Sequence, residues 1–367
     1  MRDPRIDGLA RVLTEYSLAL EPGQVCEIAA STAAEPLVRA LHDAVLEAGA
    51  NPILNLAVDG QQASFFERAG DEQIEWTSPL EEWVVDNADA RVRILSETNT
   101  KELSAVAPEK QQRRQRARTE LVKRMMDRSA AGELRWNVTM FPTDAYAAGA
   151  SMSRAAFEDF LFGACLVDQP DPVAAWRAAS EETRRLTDWI QGGEEVLIEG
   201  PGTSLRLNVS GRRFVAADGR YNMPDGEFFT GPVEDSAEGE ITFHLPATYQ
   251  GREVTGVRLR FKSGRVVDAA ADRGEDFLIS VLDTDEGARS LGELGIGTNF
   301  GIVAGTGEIL LDEKIGGTVH LAVGASYPET GGVNESAVHW DMICDLRRGG
   351  SITVDGEVLQ RDGRFIV

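Results

Sequence analysis

The sequence predicts two units of different class. Residues 1–192 read as an α/β N-terminal domain with a mostly parallel sheet, and residues 193–367 as a β-rich α+β C-terminal domain. Three observations lead there. In the first half, strand-like runs alternate with helical periodicity, the pattern of a sheet with helices on its faces. In the second half, short β runs are joined by Gly-rich turns. Between the two, Gly192-Gly193 separates the last long helical pattern from the first of those β runs.

The elements follow in order. Ile6, Leu9, Leu13 and Leu20 recur at roughly helical spacing, predicting a helix over 6–20. Gln24–Ala29 reads as a strand after Pro22-Gly23. Thr32 and Glu35 form a candidate capping box opening a helix that Gly49 ends. Pro52–Val58, Arg91–Leu95 and Arg135–Met140 read as further strands, with helices over 109–129, 153–164 and 172–191. In the second half the β runs are Glu195–Glu199, Ser204–Ser210, Glu240–His244, Gly256–Phe261, Thr318–Val323 and Ser351–Val354, with one helix near 274–290.

Charge excludes two classes of partner. Sixty acidic residues stand against 37 basic ones, a net charge of -23. Nucleic-acid binding by bulk charge needs the opposite balance, and so does a polybasic membrane surface. The single basic cluster, Lys110–Arg124, reads as a solvated helix face, with an anion or partner site as the sharper alternative. No apolar run approaches the ~18 residues of a membrane helix, and the N-terminus lacks a signal-peptide pattern. Cys26, Cys165 and Cys344 are few, odd in number and far apart. Together these features predict a reduced, cytoplasmic protein.

Candidate chemistry gathers in the second half. His339 and Asp341 lie two apart, so an extended backbone sends both side chains to one face. His320 sits in the alternating run Thr318–Ala322. These three residues fit a two-His-one-carboxylate iron site as well as a zinc-type site, so the pattern alone leaves the reaction open. Glu227 follows a Pro-Asp-Gly turn and reads equally as a surface carboxylate. Glu293 lies among glycines and apolar residues, where a carboxylate needs a partner, either a metal or an Arg. Lys314, after Asp312-Glu313, reads as a surface lysine; contact with a substrate carbonyl or carboxylate is the alternative. Gly295-Ile296-Gly297 and Gly301 do not match a dinucleotide loop in spacing or position.

Four segments in order, NMPDGEFFTGPVEDSAEGEI, LGELGIGTNFGI, LLDEKIGGTVHLAVGASY and NESAVHWDMICDL, resemble the thermophilic metalloaminopeptidases over about residues 195–367. The resemblance implies two divalent ions, Zn, Co, Mn or Mg, held by Glu227, Glu293, His320, His339 and Asp341, with Glu293 or Asp341 bridging. It implies that Tyr327 acts in catalysis and that Glu293 can carry a proton to the leaving amine. It further implies hydrolysis of the N-terminal bond of peptides with a free N-terminus, and a homodimer. Iron(II) ring-cleaving dioxygenases of the dihydroxypyridine type are the alternative. They resemble the chain around FFTGPVEDSAEG and the His339/Asp341 pair, but the resemblance fails at Glu227, Glu293 and His320. A binding protein that keeps the fold without catalysis is a third reading, opposed by the intact set of five candidate ligands.

Overall fold

A computed structural model describes residues 3–367. The chain forms two compact units. One holds the residues up to Arg177 together with Gly219–Pro224; the other holds Ala178–Asp218 and Asp225–Val367.

The first unit is built on a five-stranded parallel sheet, in the order Asn51–Ala57, Val25–Ser31, Ala90–Leu95, Arg135–Met140, Asn222–Met223. The short last strand is why Gly219–Pro224 belongs here. Cys26, Ile28, Val92 and Ile94 alternate on one buried face, as a half-covered strand requires. The helix Glu35–Glu47 packs on the Val25–Ser31 strand and buries Leu37, Val38, Leu41 and Val45. The 3₁₀ turn Thr32–Ala34 that leads into it is capped by Ser31, whose hydroxyl accepts from the Ala33 N–H; the helix itself begins after Ala34 with no side-chain cap and without the expected Thr32 box.

Two expectations change here. The segment 109–129 is two helices, Pro108–Ala117 and Thr119–Ala130, broken at Arg118. Three helices, Gln61–Arg68, Asp71–Glu75 and Pro79–Asn87, had no sequence counterpart, because they are short and carry few apolar repeats. They also account for the basic cluster. Arg113 pairs with Asp71 at 2.9 Å, Arg118 with Glu81 at 2.9 Å and Arg124 with Asp86 at 3.1 Å, while Lys110 donates to the Phe66 carbonyl. The cluster holds helices together on a partly solvated surface.

The second unit packs two antiparallel sheets, of eight and five strands, around one apolar core. Leu186 and Ile190, from the helix Pro172–Ile190, enter that core. The unit therefore begins inside this helix, at Ala178, and not at Gly192-Gly193 after it. The helix expected near 274–290 is shorter, Glu275–Leu282, because the chain turns after it into the strand Leu291–Gly297. The three cysteines are buried and free. Among the described residues no helix is long and apolar enough to cross a membrane.

Candidate metal centre

The five-stranded sheet of the second unit has the order His339–Asp345, Thr318–Gly324, Leu291–Gly297, Glu227–Thr230, Val215–Ala217. Side chains alternate between its faces. One face carries Leu294, Ile296, Val319, Leu321, Val323, Trp340, Met342 and Cys344, all in the apolar core. The other carries the candidate ligands. Asp341 and Glu293 flank Ala322 on adjacent strands, His320 lies across from Gly295, His339 across from Gly324, and Glu227 across from Gly297.

Small residues between the ligands make this face possible. A Cβ on Gly295 would stand 2.0 Å from His320 Cε1, so only glycine lets the imidazole lie over that strand. A β-bulge between Leu291 and Glu293 sets the direction of Glu293. Without it, these two residues would share a face. With it, Leu291 joins the core and Glu293 the ligand row, the re-aiming that bulges perform.

The side chains form a continuous chain of contacts. His320 Nε2 is 3.5 Å from Glu227 Oε2 and 3.5 Å from Glu293 Oε1. His339 Nε2 is 3.3 Å from Glu293 Oε2 and 3.6 Å from Asp341 Oδ2. Glu293 thus sits in the middle, one oxygen toward each imidazole. Glu293, His339 and Asp341 each offer a ligand atom within 4.8 Å of the others. The deep half, Glu227 and His320, is 6% and 1% exposed; the His339 and Asp341 side chains are more open, at 26% and 12%.

The residues fit divalent metal on three counts. The Nδ1 atoms of His320 and His339 lie 3.1 and 2.9 Å from the carbonyls of Glu313 and Ala325. Donation there leaves each Nε2 lone pair toward the cluster, the second contact that orients a metal-bound histidine. Glu227 Oε2 and Asp341 Oδ1 are buried without a hydrogen bond, an arrangement costly unless a cation meets them. Three carboxylates with two imidazoles also form a hard and borderline donor set suited to Zn, Co or Mn.

Electrostatics agree. Burial, and then the neighbouring Glu293, push Asp341 up to about 6. Burial also pushes Glu227 up, to about 8, against the pull of Lys314. Burial opposes charge on Glu293 too, but hydrogen bonding to His320 and His339 outweighs it and holds Glu293 at about 2. The same contacts overcome the burial of the imidazoles and raise His320 to about 10 and His339 to about 9. Without metal, the cluster therefore balances its carboxylates with imidazole protons.

Tyr327 stands at the rim, 40% exposed, with its ring 5.0 Å from the His339 ring and 5.5 Å from Phe229. Burial, and then Glu293, raise its phenol above the usual range, so it keeps its proton as a donor.

All six residues singled out from the sequence, Glu227, Glu293, His320, Tyr327, His339 and Asp341, come together in this unit. Lys314 differs from the surface reading: it is 0% exposed, with Nζ 3.5 Å from Glu227 Oε1. Its run of charged neighbours gave no sign of burial. Gly295 lies in a run whose glycines resemble a nucleotide loop only superficially. The glycines at 295 and 297, two apart after Glu293, were the available signal of a strand face that must stay small.

Comparison with known proteins agrees with the geometry. The sequence pattern of the family described as "Thermophilic metalloprotease (M29)" matches residues 2–365. Aminopeptidase 2 of Geobacillus stearothermophilus is 27% identical, with 99% of this chain and 98% of that protein covered. Aminopeptidase T of Thermus thermophilus is also 27% identical, with 98% and 95% covered. The solved structure of wild-type AmpT from Thermus thermophilus superposes with a TM-score of 0.84 at 26% identity, covering 99% of both chains. A 2,5-dihydroxypyridine dioxygenase from Pseudomonas putida has a TM-score of 0.57 at 13% identity, covering 99% of this chain and 97% of that one, and shares the fold alone. The chain belongs to the M29 family of thermophilic metalloproteases and is a metalloaminopeptidase of that family.

Proposed function

We propose that the protein removes the N-terminal residue from peptides with a free N-terminus, using two divalent ions. Glu227, His320 and one oxygen of Glu293 would hold one ion; the other Glu293 oxygen, His339 and Asp341 would hold the second. The observation that carries this reading is the central position of Glu293, with Oε1 toward His320 and Oε2 toward His339. It favours Glu293 over Asp341 as the bridging carboxylate, and the ligand role over that of a free proton carrier.

When bound, such a metal pair lowers the pKa of a water and polarises the scissile carbonyl. The protein's own residues supply the rest. The Glu313 and Ala325 carbonyls hold the imidazoles in the ligating tautomer. Tyr327, protonated and at the rim, donates a hydrogen bond to the carbonyl oxygen as negative charge develops there. Asp341, the most open carboxylate of the three, lies where a substrate ammonium could approach, which would confine attack to the first peptide bond.

The test is a panel of short peptides, each offered with a free and with an acetylated N-terminus. Free amino acid should appear only from the unblocked set, and chelator should stop it. Equal cleavage of both sets would refute the aminopeptidase reading. Oxygen uptake with a dihydroxypyridine, in place of peptide cleavage, would favour the dioxygenase.

We also infer a homodimer, as the family resemblance implies. The outermost strand of the parallel sheet, Asn51–Ala57, exposes Leu54 and Leu56 at 47% and 42%, an edge that soluble proteins usually cover. A monomer in sedimentation at micromolar concentration would contradict it.

A further inference from the structure

Lys314 has no role in the reading above, yet it is the only lysine among the large fully buried side chains of the described residues. Its Nζ lies 3.5 Å from Glu227 Oε1 and 4.0 Å from Asp225 Oδ1, and it pairs closely with Glu313. A buried charge network of this kind is weak evidence for stability, because apolar residues of similar size often serve as well. Its position suggests a different use. Glu227 meets Lys314 through Oε1 and His320 through Oε2, so the ammonium occupies one oxygen and leaves the other, without a hydrogen bond, facing the cluster.

The backbone around Lys314 is fixed from the same side. The Asn299 N–H donates to the Lys314 carbonyl at 3.0 Å, and Asn299 Nδ2 donates to the Asp225 carbonyl at 2.8 Å, two residues before Glu227. The preceding residue, Glu313, offers its carbonyl to His320 Nδ1. Residues 313 and 314 therefore orient both side chains of the deep half, while His339 in the open half is oriented by Ala325.

We propose that Lys314 is a positioning residue for the deep metal ion: it holds Glu227 so that this carboxylate presents Oε2 alone beside His320. The proposal rests on the two-ion reading and assigns Lys314 to one of the two ions.

The test is calorimetric titration of metal-stripped protein with Co²⁺, with the visible spectrum followed after each equivalent. Wild type should take two ions. In Lys314→Met, the open-half ion should keep its affinity, while the deep ion should weaken about 10–100-fold, as when other supporting residues of metal sites are lost, and its spectrum should change. A double-mutant cycle excludes a merely structural role. Lys314→Met should cost nothing further in a Glu227→Gln background, whereas additive losses, or a fall at the open half, would overturn the proposal. So would wild-type affinities for both ions in Lys314→Met. If Lys314→Met alone does not fold, the charge-matched double variant compared with Glu227→Gln still decides. If wild type takes a single ion, the two-ion reading fails; Lys314 keeps its role if Lys314→Met weakens that ion, and loses it if not.

Discussion

The two faces of the five-stranded sheet in the second unit use the same strands and opposite chemistry. One face is apolar apart from Thr230, with Leu294, Ile296, Val319, Leu321 and Met342 in contact with the core. The other alternates candidate ligands with small residues: Glu293 with Gly295 and Gly297, His320 with Ala322 and Gly324. Both faces are closed to water along Leu291–Gly297 and Thr318–Gly324. The apolar face gains stability by burial, about 25 cal/mol per Å². The ligand face gains less in the empty fold, because three carboxylates held close together in a dry place depend on the imidazole protons for balance. Stability and chemistry are thus assigned by residue parity, and substitutions of one parity should leave the other function standing.

The sharpest separation is expected at Glu293. Glu293→Gln should lower activity by at least about 10³-fold, the several kcal/mol that metal ions contribute to charge stabilisation. The Tm of the metal-free protein should fall only modestly, because the imidazoles that lose Glu293 can shed their protons, and a collapse of the fold would mean that the ligand face also carries it. Leu321→Ala is the converse. Its neighbour His320 is a proposed ligand, but its own side chain is fully buried in the core. Chemical denaturation should show a loss of about 2–5 kcal/mol, with metal content and kcat per folded molecule unchanged. A specific loss of metal there would break the parity argument.

Tyr327→Phe should have a smaller effect. Losing one donor to a developing oxyanion costs about 10²-fold in kcat, with KM nearly unchanged; a rise in KM alone would assign Tyr327 to substrate binding. The remaining test concerns pH and reads metal affinity rather than turnover. In the metal-free cluster His320 is raised to about 10 and His339 to about 9, so both hold protons near neutrality. Ligation needs neutral imidazole and must release them. Apparent metal affinity should therefore rise from pH 6 to pH 8, by up to about tenfold per pH unit for each proton displaced. A flat affinity profile over that range would show that the imidazoles are not ligands.

Which parts of this were legible in the sequence follows from how local each feature is. His339 and Asp341 could be read as partners because two-residue spacing on a strand is a local rule. His320 could be placed on a strand for the same reason. Glu293 could not be oriented, because its face depends on a bulge at Gly292 and on pairing with a strand some thirty residues away. Lys314 looked solvated because its immediate neighbours are acidic; its burial is set by Asn299 and Glu227, distant in sequence. The helices between 61 and 87 were missed because salt bridges to Arg113, Arg118 and Arg124 fix part of them, and such partners leave no periodic apolar signal. The four-segment resemblance brought the five candidate ligands together before any distance was known.

The central claim is that one sheet face gathers two metal ions into an aminopeptidase. Titrating chelator-stripped protein with a single divalent metal, while following release of the N-terminal residue from an unblocked peptide, tests it most directly. Activity should be absent at the start, rise with added metal and reach its plateau at two equivalents per chain. Activity that survives stripping, or a plateau at one equivalent, would contradict it.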